Sequence, residues 1–91
     1  MKAYEVFKGF GWTKGAYARD HTDSPVEIGD KEAVSYCTVG AIFLVYGNLY
    51  GIQYLKRLIV DQNIENTVSS WNDKVGQTKE NVIETLKKLD I

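Results

Sequence analysis

Tyr36-Cys37-Thr38-Val39-Gly40-Ala41-Ile42-Phe43-Leu44-Val45-Tyr46-Gly47 is the stretch on which the reading of the fold depends. Ala33, Cys37, Gly40, Ala41, Leu44 and Val45 recur at steps of three and four residues, the spacing of one helix face. Tyr36, Val39, Ile42, Phe43 and Tyr46 fill the opposite side, so the helix is apolar nearly all round. A helix of that kind is central and is touched on several sides. Asp30 suits the N-cap and Glu32 the first turn, where the helix dipole favours an acid. The helix is therefore expected to begin there, run through Cys37 and stop at Gly47. Gly40 costs about 1 kcal/mol in a helix interior, so a close neighbour is expected to compensate for it.

Outward from this helix, the elements on either side are shorter. Ala3, Val6, Phe7 and Phe10 are spaced as a helix that Gly9 and Gly11 end. Gly11-Trp12-Thr13-Lys14-Gly15 is punctuated by glycine, which predicts a sharp bend that turns Trp12 inward. Ala16–Arg19 and Val26–Ile28 flank the polar run Asp20-His21-Thr22-Asp23-Ser24-Pro25, and this order reads as a two-stranded antiparallel hairpin. Residues 50–61 form a second helix with Ile52, Leu55, Leu58 and Ile59 inward. Ile64, Val68 and Trp71 mark a short third piece ending at Asn72-Asp73. Gly76 breaks the chain, and Thr78 caps a last helix striped by Val82, Ile83, Leu86 and Leu89, with Lys87 and Lys88 near its C-terminus. The expected fold is mostly α (α+β), with four to five helices packed against the short two-stranded antiparallel hairpin.

The 91 residues fit one small globular domain spanning 1–91, and 44% hydrophobic with 25% charged residues are the proportions of a folded chain. Eleven Lys+Arg stand against 12 Asp+Glu, for a net charge of −1. Neutralising a phosphate backbone takes clustered cations, whereas Lys56-Arg57 and Lys87-Lys88 are isolated pairs, so nucleic acid is disfavoured as a partner. The single cysteine, Cys37, allows no intrachain disulfide. Met1-Lys2-Ala3-Tyr4-Glu5 has no apolar run of signal-peptide type, and Val39–Tyr46 is far short of the ~20 residues that span a bilayer. No membrane contact and a cytoplasmic location are the expectations.

The ordered set Gly11-Trp12-Thr13-Lys14-Gly15-Ala16, Ala18-Arg19-Asp20, Pro25-Val26, Ala33-Val34, Tyr36-Cys37-Thr38-Val39-Gly40-Ala41 and Trp71-Asn72-Asp73 resembles an uncharacterised bacterial and phage family, domain of unknown function family 6197. The resemblance covers about Phe7 to Leu89. Two places depart from the family pattern: Lys14 stands where glutamine is usual, and Thr22-Asp23-Ser24 replaces an Asp-Gly turn. The resemblance implies an order of elements like the one above, and it implies no activity.

Several residues could carry chemistry. Cys37, His21 and Asn72 together suggest a thiol enzyme, in which a histidine activates the cysteine and an amide orients the histidine. Unpaired cysteine on an apolar helix is more often a small buried hydrophobe. Asp20, His21, Asp23 and Asp30 could ligate a metal, but they miss the calcium-loop spacing, and turn and cap roles account for the three aspartates. The Gly11–Gly15 segment lacks the preceding strand and following helix of a phosphate loop. Trp71-Asn72-Asp73 reads first as a helix-ending anchor packed near Trp12. The sharper reading gathers Arg19, Asp20, Trp71, Asn72 and Asp73 on one face as a binding patch, since Arg and Trp are enriched at hot spots. Tyr36, Tyr46, Tyr50 and Tyr54 either edge the core or form a partner surface. The function expected from these weights is a small non-catalytic binding or regulatory protein. It would act through protein–protein contacts or self-association, with no cofactor and no metal. The alternatives are a thiol-dependent enzyme using Cys37 and a nucleic-acid-associated adaptor.

Overall fold

The computed structural model describes residues 1–91. Helix α1 runs Ala3–Gly9 and buries Ala3, Val6 and Phe7, the face that the spacing predicts. Its first turn is closed by the Lys2 backbone N–H, which donates to Glu5 Oε1 at 2.8 Å. Strands β1 (Gly11–Trp12), β2 (Ala18–Arg19) and β3 (Ser35–Tyr36) follow. They form a three-stranded sheet in the order β1-β3-β2, with β1 parallel and β2 antiparallel to β3. Gly11 and Trp12 stand opposite Ser35 and Tyr36, and Ala18 and Arg19 stand opposite Tyr36 and Ser35.

This mixed sheet corrects the expected two-stranded antiparallel hairpin. The chain does turn back after β2, with Asp20 N–H donating to the Ser24 carbonyl at 2.9 Å and an isolated bridge between Arg19 and Pro25. The strand proper pairs elsewhere, because residues 34–37 offer backbone groups on both sides. Val34 N–H donates to the Arg19 carbonyl and Cys37 N–H to the Tyr17 carbonyl. On the other side, Gly11 N–H donates to the Val34 carbonyl and Thr13 N–H to the Tyr36 carbonyl. A helix would have consumed these groups internally.

The central helix is corrected at its start for the same reason. Asp30 closes a turn rather than a helix, its carboxylate accepting from Glu32 N–H at 2.7 Å. Helix α2 begins only at Thr38 and extends to Gln62, with Cys37 as its N-cap. Gly40 compensates as expected: a methyl group there would collide with the Tyr17 carbonyl oxygen, which already accepts from Cys37 N–H. Gly47 interrupts the helical dihedrals with φ 76° and ψ 173°, a region essentially reserved for glycine. The chain bends sharply there, since residues eight apart meet across it. Gly51 lies against the Phe43 ring, and Tyr54 stacks on Tyr46 with centroids 4.0 Å apart. In a straight helix such residues would be about 12 Å apart along the axis.

Helix α3 (Val68–Asp73) is capped by Thr67 Oγ1, which accepts from Ser70 N–H, and α4 (Lys79–Lys88) by Thr78, which accepts from Asn81 N–H. The core gathers Val6, Ala18, Tyr36, Ile42, Leu58, Val68, Val82, Leu86 and Ile91, so that every element but β1 contributes. Phe10 meets the Tyr36 ring edge-on, with centroids 5.2 Å apart. No helix is long and apolar enough to cross a membrane.

Candidate functional site

Asn72, in the last turn of α3, is fully buried and uses both ends of its amide. Its Oδ1 accepts from Trp12 Nε1 at 2.7 Å, Thr38 N–H at 2.9 Å and Thr38 Oγ1 at 2.6 Å. Its Nδ2 donates to the Thr13 carbonyl at 3.0 Å and to Asp73 Oδ1 at 2.8 Å. One side chain thus joins the Gly11–Gly15 bend, the start of α2 and the end of α3. The N–H of the half-buried Trp12 indole finds the partner that it needs.

Around this centre the two motifs singled out in the sequence meet. Asp73 Oδ1 also accepts from Gly15 N–H at 3.1 Å, so the α3 terminus grips the glycine bend from outside. Lys14 lies over the Trp12 ring and donates to the Lys74 carbonyl at 2.9 Å. Arg19 braces the bend from the sheet side. Its Nε donates to Thr13 Oγ1 and its Nη2 to the Lys14 carbonyl, each at 2.9 Å, while Nη1 reaches the Asp23 carbonyl. Asp20 faces its own loop instead, accepting from Thr22 N–H, Thr22 Oγ1 and Ser24 N–H. Those bonds, led by the Thr22 hydroxyl, hold its carboxyl below the usual aspartate range. Of the five candidate residues, Trp71 and Asn72 are buried, Arg19 and Asp20 are half-buried, and Asp73 is exposed.

Cys37 lies at the edge of this network, not inside a helix. Its sulphur accepts from Gly40 N–H at 3.3 Å, as an N-cap, and the residue is only 3% exposed. Burial pushes the thiol up from its ordinary value, against the lowering effect of the Gly40 and Val39 amides. A thiol raised in this way is a poor nucleophile, because the thiolate is the reactive form. His21 is exposed in the turn after β2.

Two depressions open beside the network and share Tyr17 and Ser69 as walls. The smaller, about 230 Å³, is of mixed character and is bordered by Gly15, Ala16, Cys37 and Asp73. The larger, about 510 Å³, is apolar, lined by Val39 and Phe43 of the first half of α2, Leu55 and Ile59 of the second, and Val68 of α3. Sharing those two walls, they form a groove of two adjoining open depressions beside the exposed Tyr17 ring, with Asp73 in the smaller. None of the ion pairs of the chain involves Asp73. Val39, Phe43, Leu55 and Ile59 read in the sequence as apolar helix faces, and it is the bend at Gly47 that sets the two pairs across from each other as walls.

The chain belongs to the family of unknown function DUF6197, which matches residues 2–89. No curated protein and no solved structure matches it.

Proposed function

We propose that this member of the DUF6197 family is a small non-catalytic protein that binds a segment of a partner polypeptide in the groove beside Tyr17. The observation that carries the reading is the pairing of an apolar trough with one unneutralised, rigidly held carboxylate, that of Asp73. Gly15 N–H and the Asn72 amide fix that carboxylate without cancelling its charge. An apolar side chain seated among Val39, Phe43, Leu55 and Ile59 would contribute about 1.5–3 kcal/mol. A lysine or arginine beside it would add about 0.2–1 kcal/mol by meeting Asp73. The occupant is therefore an extended segment with an apolar residue next to a basic one, held in the millimolar range or more weakly, since the two contributions reach about 4 kcal/mol at most. The openness of the trough favours a chain segment over an enclosed small molecule. The thiol-enzyme reading ranks lower, since the Cys37 sulphur is buried and its proton is held more tightly than usual.

The test is NMR titration with blocked tetrapeptides Ala-Leu-Lys-Ala, Ala-Leu-Gln-Ala and Ala-Leu-Glu-Ala. Shifts should concentrate on Tyr17, Ser69 and Ile59, with affinity falling in the order Lys, Gln, Glu. Asp73→Asn keeps an oxygen for Gly15 N–H and removes the charge, so it should bring the Lys peptide down to the Gln peptide. Shifts scattered over the surface, or no response to any peptide, would refute the reading.

A further inference from the structure

The second half of α2 carries an exposed face that its own fold leaves uncovered. Leu49 is 76% exposed, Ile52 45% and Val60 81%. At about 100° per residue, these three and the exposed Lys56 fall within an arc of about 80°, over about 16 Å of helix. The stripe is thus three turns long, apolar at both ends, with one lysine in the middle. Arg57 and Lys88 flank it, and Asp61 is already paired with Lys88 at 3.2 Å. Lys56, Arg57 and Lys88 against Asp61 leave this face two charges positive in a chain whose net charge is −1.

We infer that this face docks an acidic amphipathic helix of a partner protein, about three turns long, whose apolar stripe is interrupted by a glutamate or aspartate opposite Lys56. Charge selects this occupant over the two nearest competitors. A second copy packed antiparallel over Leu49–Val60 would centre between residues 54 and 55. The two Lys56 residues would then stand about 4–5 Å apart along the axis, and a parallel copy would set them face to face. Like charges so placed oppose the pairing. A lipid surface would need the apolar face free of charge, with cations on the opposite side, whereas Lys56 sits mid-stripe. An acidic helix answers both the apolar residues and the central lysine, packing one helix face against another. The site rests on residues separate from the Tyr17 groove, so it stands whether or not that groove binds.

Fluorescence anisotropy of two labelled helical peptides tests the inference. Both carry leucine at helical spacing, one with glutamate and the other with lysine at the central and flanking positions. At about 50 mM salt the glutamate peptide should bind about tenfold tighter than the lysine peptide, and the preference should shrink as salt rises. Val60→Asp, a change at an exposed position, should weaken binding about tenfold while leaving the circular dichroism spectrum unchanged. Lys56→Glu should reverse the preference between the peptides. Equal binding of both peptides, no binding of either, or no reversal by Lys56→Glu would overturn the inference. So would a dimer in sedimentation that Val60→Asp dissolves, or attachment to anionic phosphatidylglycerol vesicles without binding to the peptide.

Discussion

Replacing Asn72 by alanine tests the centre of the structure with a magnitude that its contacts set. The change deletes one acceptor and two donors from a fully buried site. It strands Trp12 Nε1, Thr38 N–H and Thr38 Oγ1, which converge on the lost Oδ1 at 2.6–2.9 Å. A buried polar group left without a partner costs about 1–3 kcal/mol. The three donors share one acceptor and Thr38 Oγ1 can rotate, so the losses do not add in full; about 3–4 kcal/mol is expected. A chain of this size is stable by about 5–14 kcal/mol. The loss is therefore a large fraction, and at about 4–8 °C per kcal/mol it lowers Tm by about 12–30 °C. Urea unfolding followed by tryptophan fluorescence and by circular dichroism measures it, with the exposed Asn66→Ala as a control expected within about 0.5 kcal/mol of the parent. Asn72→Asp should not rescue. It keeps the acceptor but sets a carboxylate oxygen against the Thr13 carbonyl and Asp73 Oδ1, where Nδ2 donated. A loss under about 1 kcal/mol for Asn72→Ala would refute the view of Asn72 as the joint between bend, α2 and α3.

Three further predictions test other parts of the structure. Gly40→Ala, in the first turn of α2, should destabilise by about 1–3 kcal/mol despite the better helix propensity of alanine, because its methyl meets the Tyr17 carbonyl oxygen; thermal melts read the sign. For Asp20, the folded carboxyl lies below its unfolded value, so its contribution is present above about pH 4 and fades as pH falls through the lower folded value. Acid titration of stability should show that component in the parent and not in Asp20→Asn. Cys37, buried and capping α2, should react with a disulfide reagent only as fast as the chain opens. Its rate should rise steeply in denaturant, and rapid reaction of the native protein would restore the thiol-enzyme reading.

Much of the helical frame was legible in the sequence because its signals are local. Thr78 with Val82 and Leu86 holds cap and stripe within a few residues, and Ala3 with Val6 and Phe7 and Val68 with Trp71 show their buried faces at helical spacing. The start of α2 was not legible. Ala33 and Cys37 have helical spacing, but the backbone of Ser35-Tyr36 is claimed by β1 and β2, strands two residues long and distant in sequence. So short a strand has no period to read, and its pairing is decided by tertiary contact. Gly47 was visible as a break, but only the structure gives the direction of the bend that builds the groove.

The Trp12 link to Trp71-Asn72-Asp73 was anticipated as an anchor, and the bonding is more specific than packing of two indoles. Trp12 and Thr38 both spend their donors on Asn72, the neighbour of Trp71. The charged flanks of the motifs divide in their work. Arg19 ties the bend to the loop before Pro25, Asp20 orders that loop, and Asp73 alone turns toward the groove.

Whether the groove with its fixed carboxylate holds a basic segment is decided by the affinity of the Ala-Leu-Lys-Ala peptide for the parent and for Asp73→Asn, read from NMR shifts at Tyr17 and Ser69. Binding should be confined to the groove and weakened about two- to fivefold by the loss of one charge. Unchanged affinity in Asp73→Asn, or shifts that leave Tyr17 and Ser69 unmoved, would contradict this reading.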